Sequence, residues 1–290
     1  MSHPFPEAEQ QIDLPQGTIR YRDTGSGPPL VFVHGLLANG MLWRRVVPHL
    51  AAHYRCIVAD WPLGAHSVAM PTDADLTPTG VAWLVADFMA ALQLDEVTLV
   101  GHDTGGGIVQ IVLANHPERI ARVVLTNCDA FEAFPPRALT PFKYAGFVPG
   151  SMLLLSWLLG NHTVQRLFVR LLALGKYPFE QIALDSYFLP FARDAAVRRD
   201  LTKFLKSIAP RYTLAAAHIF PQRQQPVLLA WAPEDRLIFP IGLAKRLQAA
   251  FPNAQLAMIH DAWTFTPEDQ PERLAELIAE FVPKMKDVAC

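Results

Sequence analysis

The chain is poor in cysteine, in net charge and in long apolar runs, and each shortage excludes a class of protein. Three cysteines in 290 residues, Cys56, Cys128 and Cys290, are too few and odd in number for a disulfide framework. A reducing, cytoplasmic setting is the expectation. Lys and Arg number 25 against 27 Asp and Glu, a net charge of -2, and the basic residues do not form one block. Neither nucleic acid nor an anionic membrane surface is therefore expected as the main partner. The stretch Met1 to Gln11 lacks the apolar segment of a secretory signal. The longest apolar run, Ser151 to Gly160, is too short to span a bilayer and reads as a buried or pocket-facing helix, with a membrane-touching surface as the lesser alternative. The ten histidines show neither H-E-x-x-H nor paired-cysteine spacing, so no metal and no cofactor are expected. No G-x-S-x-G occurs, which argues against serine esterase chemistry.

What is present is a large apolar content, 51% of residues, enough for one sizeable core. Short β-like runs lie at Thr18–Tyr21, Leu30–Val33, Cys56–Ala59, Val97–Val100, Val123–Thr126, Val227–Trp231 and Gln255–Ile259. Several are continuously apolar, as parallel strands covered on both faces should be. Helical patterns fall around Leu42–Ala52, Thr79–Leu92, Gly106–Asn115, Ile241–Ala250 and Glu272–Val282. Such alternation implies an α/β fold with an open, mostly parallel sheet between helical layers, and ligands bound beyond the carboxyl ends of the strands. The alternation stops between about Phe131 and Ala215, a Leu- and Phe-rich segment punctuated by Pro135, Pro136, Pro141, Pro149, Pro178 and Pro190. The expected organisation is a core over residues 1–130, a helical cap over 131–215 and the rest of the core over 216–290, the cap excluding water and selecting substrate.

Directly after the apolar run Val97–Val100 comes Gly101-His102-Asp103-Thr104-Gly105, the glycine spacing of a nucleophile elbow with aspartate in the middle. The turn from strand to helix leaves no room for side chains at the flanking positions, and aspartate tolerates positive φ better than most residues. A carboxylate there would attack carbon to give an alkyl ester. A glycine-rich strand–turn–helix without chemistry is the bland alternative.

With Val31-Phe32-Val33-His34-Gly35, the elbow at Asp103 and the insertion in this order, the chain resembles the α/β-hydrolase superfamily over nearly its whole length. The aspartate elbow followed by Gly106 and Gly107 is similar to the branch holding haloalkane dehalogenases and epoxide hydrolases. The resemblance implies an oxyanion hole from the amides of Leu36 and Thr104. It also implies that Asp235, after Pro226–Trp231, is the acid of the triad, and that Asp60–Ser67 is a loop bordering the site.

The departures from that pattern shape the functional expectation. Glu268-Asp269-Gln270-Pro271 sets the register of the last loop, and Trp263-Thr264 then stand where the family has Gly-His. Thr264 cannot take a proton near neutral pH, so hydrolysis of the ester loses its usual base. His260, four residues earlier, could serve as base only in a rebuilt loop; the alternative is a structural histidine. The dehalogenase Trp after the nucleophile is Thr104 here, and Leu36 occupies the second halide position. Tyr144, Tyr177, Tyr187 and Tyr212 are candidates for the tyrosines with which epoxide hydrolases protonate the ring oxygen, each also readable as packing.

Among weaker candidates, His34, His66, Trp263 and Thr264 are expected to border the substrate. Asp129 is a reserve acid, His102 is chiefly a packing residue, and Glu234 is a solvated loop carboxylate. The expectation is an enzyme using Asp103 on a small or medium apolar substrate, epoxide-hydrolase-like or dehalogenase-like. The alternative is a non-hydrolytic catalyst or binding protein on the same scaffold. The expected partner is the small apolar molecule, with neither nucleic acid nor membrane; a homodimer is left open.

Overall fold

A computed structural model describes residues 8–284. Cys290 and the first seven residues of the N-terminal segment lie outside the described residues. Eight strands form one sheet in the order β1-β2-β4-β3-β5-β6-β7-β8: β1 Gln10–Leu14, β2 Gly17–Thr24, β3 Pro29–Val33, β4 Arg55–Ala59, β5 Val97–Asp103, β6 Ile120–Cys128, β7 Val227–Trp231 and β8 Ala254–Met258. From β4 across to β8 every pairing is parallel; the β1–β2 and β2–β4 pairings at one edge are antiparallel, so β2 alone runs against the rest. The continuously apolar runs are the buried central strands: all of β5 and β7 are buried. Strand β1, with polar Gln10, Gln11 and Asp13 and an exposed pattern, carried no such run.

The core helices are α1 Val47–Leu50, α2 Pro78–Ala91, α3 Thr104–Asn115, α10 Ile241–Ala250, α11 Thr266–Asp269 and α12 Pro271–Phe281. The helix expected over Leu42–Ala52 is instead a 3-10 turn, Gly40–Trp43, followed by the four-residue α1, whose second residue is Pro48. Proline suits the first turn of a helix and cannot continue a preceding one.

Between β6 and β7 lie α4 Thr140–Ala145, α5 Ser151–Leu159, α6 His162–Leu171, α7 Gln181–Arg193, α8 Ala195–Ser207 and α9 Pro210–Ile219. Helices α4 to α8 pack on one another over the strand ends, whereas α9 packs on α3 of the core. The apolar segment Ser151–Leu159 is not buried throughout: Met152, Ser156 and Leu159 face inward, while Leu153, Leu154 and Trp157 are exposed. Among the described residues no helix is long and apolar enough to cross a membrane.

Candidate active site

Asp103 ends β5 with φ 53° and ψ -130°, a strained conformation for a residue with a side chain, and α3 begins at the next residue. Two glycines make this turn possible by close approach. A Cβ at Gly35 would overlap the Asp103 carboxylate, and one at Gly105 would overlap the carbonyl oxygens of Val33 and His34. The loop after β3 can thus lie directly against the elbow, and the Leu36 amide donates to Oδ2 of Asp103 at 3.0 Å. The Thr104 amide also supports the carboxylate.

Above this group lies a cavity of about 300 Å³ in which Asp103 is the one charged lining residue. Its walls are Leu36 and Leu37 from the core loop, Phe142, Leu155 and Phe168 from the cap, and Phe265 after the last strand, with further apolar neighbours. Burial raises the Asp103 pKa to about 7; the two backbone amides oppose that shift and the Asp235 charge adds to it. At neutral pH the group is divided between acid and carboxylate.

Behind Asp103 a second polar cluster fixes the last loop. The Thr264 hydroxyl donates to Oδ2 of Asp235 at 2.7 Å. Asn127 Nδ2 reaches the same oxygen at 3.2 Å, and the Ile238 amide donates to Oδ1 at 3.0 Å. The Thr264 carbonyl in turn accepts from Nε2 of His102 at 3.0 Å. Desolvation lowers the His102 pKa to about 4, so its ring is neutral, and it packs edge-on against Phe265. Thr264 and Asp235 are both buried.

The remaining expected site residues lie elsewhere. His260 is exposed at the end of β8, outside the cavity walls. His34 braces its own loop: Nδ1 contacts the Gly35 carbonyl at 2.9 Å and Nε2 accepts from the Trp61 amide at 2.8 Å. Burial holds its pKa down at about 3. His66 is buried against Asp200 of α8, Nε2 to Oδ2 3.2 Å, and ties core to cap. Trp263 borders two outer grooves, one beside Glu234 and one beside Lys176, and not the cavity of Asp103.

Asp129 is fully buried and accepts from the Thr104 hydroxyl at 2.9 Å. Desolvation, with the Asp103 charge next, pushes its pKa well above the usual carboxylate range. Its recorded side-chain partner is Thr104, not the last loop. Glu234 is held by Lys176 at 2.6 Å. Of the four candidate tyrosines, Tyr187 alone lines the cavity, and its hydroxyl donates to Glu268. Tyr144 is exposed, Tyr177 donates to Asp261, and the Tyr212 hydroxyl accepts from Arg211.

One element had no counterpart in the sequence reading. Arg44, in the turn after Gly40–Trp43, pairs with Glu268 of α11 at 2.6 Å, and both side chains are 3% exposed. Arg44 also reaches Glu180 in the cap at 2.9 Å. The Glu-Asp-Gln-Pro sequence marked the register of the loop without hinting that its Glu268 anchors three segments.

The sequence profile of the α/β hydrolase fold matches residues 28–263. The chain belongs to the α/β-hydrolase fold family. Haloalkane dehalogenase 2 of Mycobacterium tuberculosis is 28% identical over 280 residues, 95% of each chain. A cis-3-alkyl-4-alkyloxetan-2-one decarboxylase of Shewanella oneidensis is 25% identical over 283 residues, 93% of this chain and 87% of that protein. The epoxide hydrolase CorEH shares the fold with a TM-score of 0.78 at 19% identity, covering 94% of this chain and 98% of that one. The chain is an enzyme of this superfamily related to haloalkane dehalogenases.

Proposed function

We propose that Asp103 is a covalent nucleophile toward a compact apolar electrophile of the epoxide or haloalkyl class, and that the ester it forms is not cleared by histidine-activated water. The reading rests on a single carboxylate, fixed through Oδ2 by Leu36, at the base of an otherwise apolar cavity. Its volume is at the small end of ligand sites. With Oδ2 held, Oδ1 is left to form the new C–O bond. The C–O or C–halogen bond then breaks with its electron pair on the leaving atom, and a departing alkoxide takes a proton from solvent.

Both later steps are poorly provided for. Tyr187, the one tyrosine in the cavity wall, already donates its hydroxyl to Glu268, and the Leu36 and Thr104 amides that would meet a departing halide are engaged by the Asp103 carboxylate. Water activation would need a base where the Thr264 hydroxyl donates to Asp235.

The decisive experiment is intact-protein mass spectrometry after incubation with a panel of epoxides and haloalkanes. The expected result is a stable mass gain that peptide mapping places on Asp103, absent in Asp103→Asn. Its rate should rise with pH through about 7, because the carboxylate is the reacting form. Absence of both adduct and turnover across the panel would overturn the reading.

A second reading is favoured by the relative named an oxetan-2-one decarboxylase. Loss of CO2 from such a ring leaves an alkene and takes up no water, so a site without a water-activating base is no obstacle to it. Release of CO2 and alkene from a dialkyl oxetan-2-one, without an accumulated adduct, would select this reading over the first.

A further inference from the structure

Of the twelve large hydrophobic side chains that are exposed among the described residues, eight fall between Tyr144 and Leu171. On α5 the exposed residues Leu153, Leu154 and Trp157 share one face at spacings of three and four, with Trp157 at 74% exposure. Phe147 and Val148 continue the patch in the turn before α5, and Leu167 and Leu171 continue it one turn apart on α6. Monomeric proteins seldom leave so much contiguous apolar surface in water.

Charge separates the candidate occupants. Residues 133–179 contain no Asp or Glu, yet they carry Arg137, Lys143, Arg166, Arg170 and Lys176 in a chain whose net charge is -2. Lys176 is neutralised by Glu234 and Asp261 of the core. The other four have no acidic partner among the described residues, nor does Lys206 of α8, which lies over the Phe147 ring. Lys143 lies over the Tyr144 ring, so cations and exposed aromatics are interleaved. Asp185 of α7 is occupied by His162 of α6 at 3.1 Å. A symmetric contact with a second copy would set these unpaired cations against one another. An anionic lipid surface accepts the apolar side chains at the depth of its acyl boundary and the cations at its headgroups.

We infer that the outer face of α4 to α6 is a membrane-docking surface for anionic bilayers, on which the enzyme lies without crossing. The same three helices line the Asp103 cavity with their inner faces through Phe142, Leu155 and Phe168. An apolar substrate dissolved in lipid would thus meet the cap first. The expectation of no membrane partner came from basic residues that are scattered in sequence; folding of the cap brings them beside the exposed aromatics.

The test is co-sedimentation of the full chain with vesicles of phosphatidylcholine plus phosphatidylserine and with vesicles of phosphatidylcholine alone. Binding is expected to the anionic vesicles, to weaken at high salt, and to blue-shift tryptophan fluorescence in a manner lost with Trp157→Phe. Leu154→Glu/Trp157→Glu and Arg166→Glu/Arg170→Glu should each weaken binding by about tenfold or more, with unchanged circular dichroism, since all four positions are exposed. Failure to bind either vesicle, or binding that neither double variant alters, would overturn the inference. So would a concentration-dependent dimer abolished by Leu154→Glu/Trp157→Glu in a protein that ignores vesicles, which would assign the surface to a second copy.

Discussion

The two sides of the site are built with equal care and to different ends. On the nucleophile side, a strained residue, two close-approach glycines and the Leu36 amide together present one carboxylate oxygen to an apolar cavity. On the opposite side Asp235 is as fully ligated as a catalytic acid would be, by Thr264, Asn127 and the Ile238 amide. Yet the group it orients is a hydroxyl. On the proposed reading, the place of the missing base is therefore ordered and hydrogen-bonded. Thr264 fills the hydrogen-bonding role that an imidazole would have toward the acid, and its carbonyl accepts a hydrogen bond from Nε2 of His102.

The strongest way to break this contrast is to return a base to the second side. Thr264→His offers Asp235 an imidazole and should convert a persistent Asp103 adduct into one that hydrolyses, read as decay of the adduct mass and incorporation of solvent oxygen-18 at Asp103. Thr264 is fully buried, so the larger ring should also cost about 1–3 kcal/mol of stability. If the variant is folded and the adduct persists, the Trp263 loop rather than the missing imidazole limits turnover. Next in size is the anchor of that loop. Arg44→Met leaves Glu268 buried without its cation and should destabilise by roughly 3–5 kcal/mol in urea unfolding; a cost under about 1 kcal/mol would show that Tyr187 alone suffices for Glu268.

The nucleophile side gives a stability signal of opposite sign. Asp103 has its pKa raised to about 7, so the folded chain holds this proton more tightly than the unfolded chain does. That contribution is complete below the ordinary carboxylate pKa and is lost as pH rises through about 7. Asp103→Asn keeps an oxygen for the Leu36 amide and removes the buried charge. It should raise stability by roughly 4 kcal/mol near pH 8 and change it little near pH 4, measured as denaturant midpoints at both. A larger gain at the acidic end would reverse the sign and contradict the burial argument.

How much of this was legible in the sequence follows from how local each signal is. The central strands are continuous apolar runs, and their parallel order follows from alternation with helices. The elbow is five residues long, and the Thr264 register is set by residues four to seven positions away. Arg44 and Glu268 lie far apart in the chain, and neither stands in a pattern that hints at the other. The apolar run of α5 gave its content correctly and its orientation incompletely: a cap helix can be apolar on the face toward the cavity and apolar again toward the outside, and periodicity cannot separate that from full burial. His66 followed the same rule, since its partner Asp200 is on a helix that comes beside it only when the cap folds down.

The smallest effect bears most directly on the contrast itself. If Thr264 serves as a structural replacement, its worth lies in one hydroxyl. Thr264→Val preserves shape and branching while removing the 2.7 Å bond to Asp235. The acid keeps Asn127 and the Ile238 amide, so the loss should stay near ~1 kcal/mol, the ordinary value of a buried hydrogen bond with its partner still partly satisfied. Adduct formation at Asp103 should be unaffected, because Oδ2 of the nucleophile is held by Leu36 from a different loop. A fall in the adduct rate with stability intact would mean that the Thr264 hydroxyl acts on the reaction, and the two sides would then have to be described as one catalytic unit.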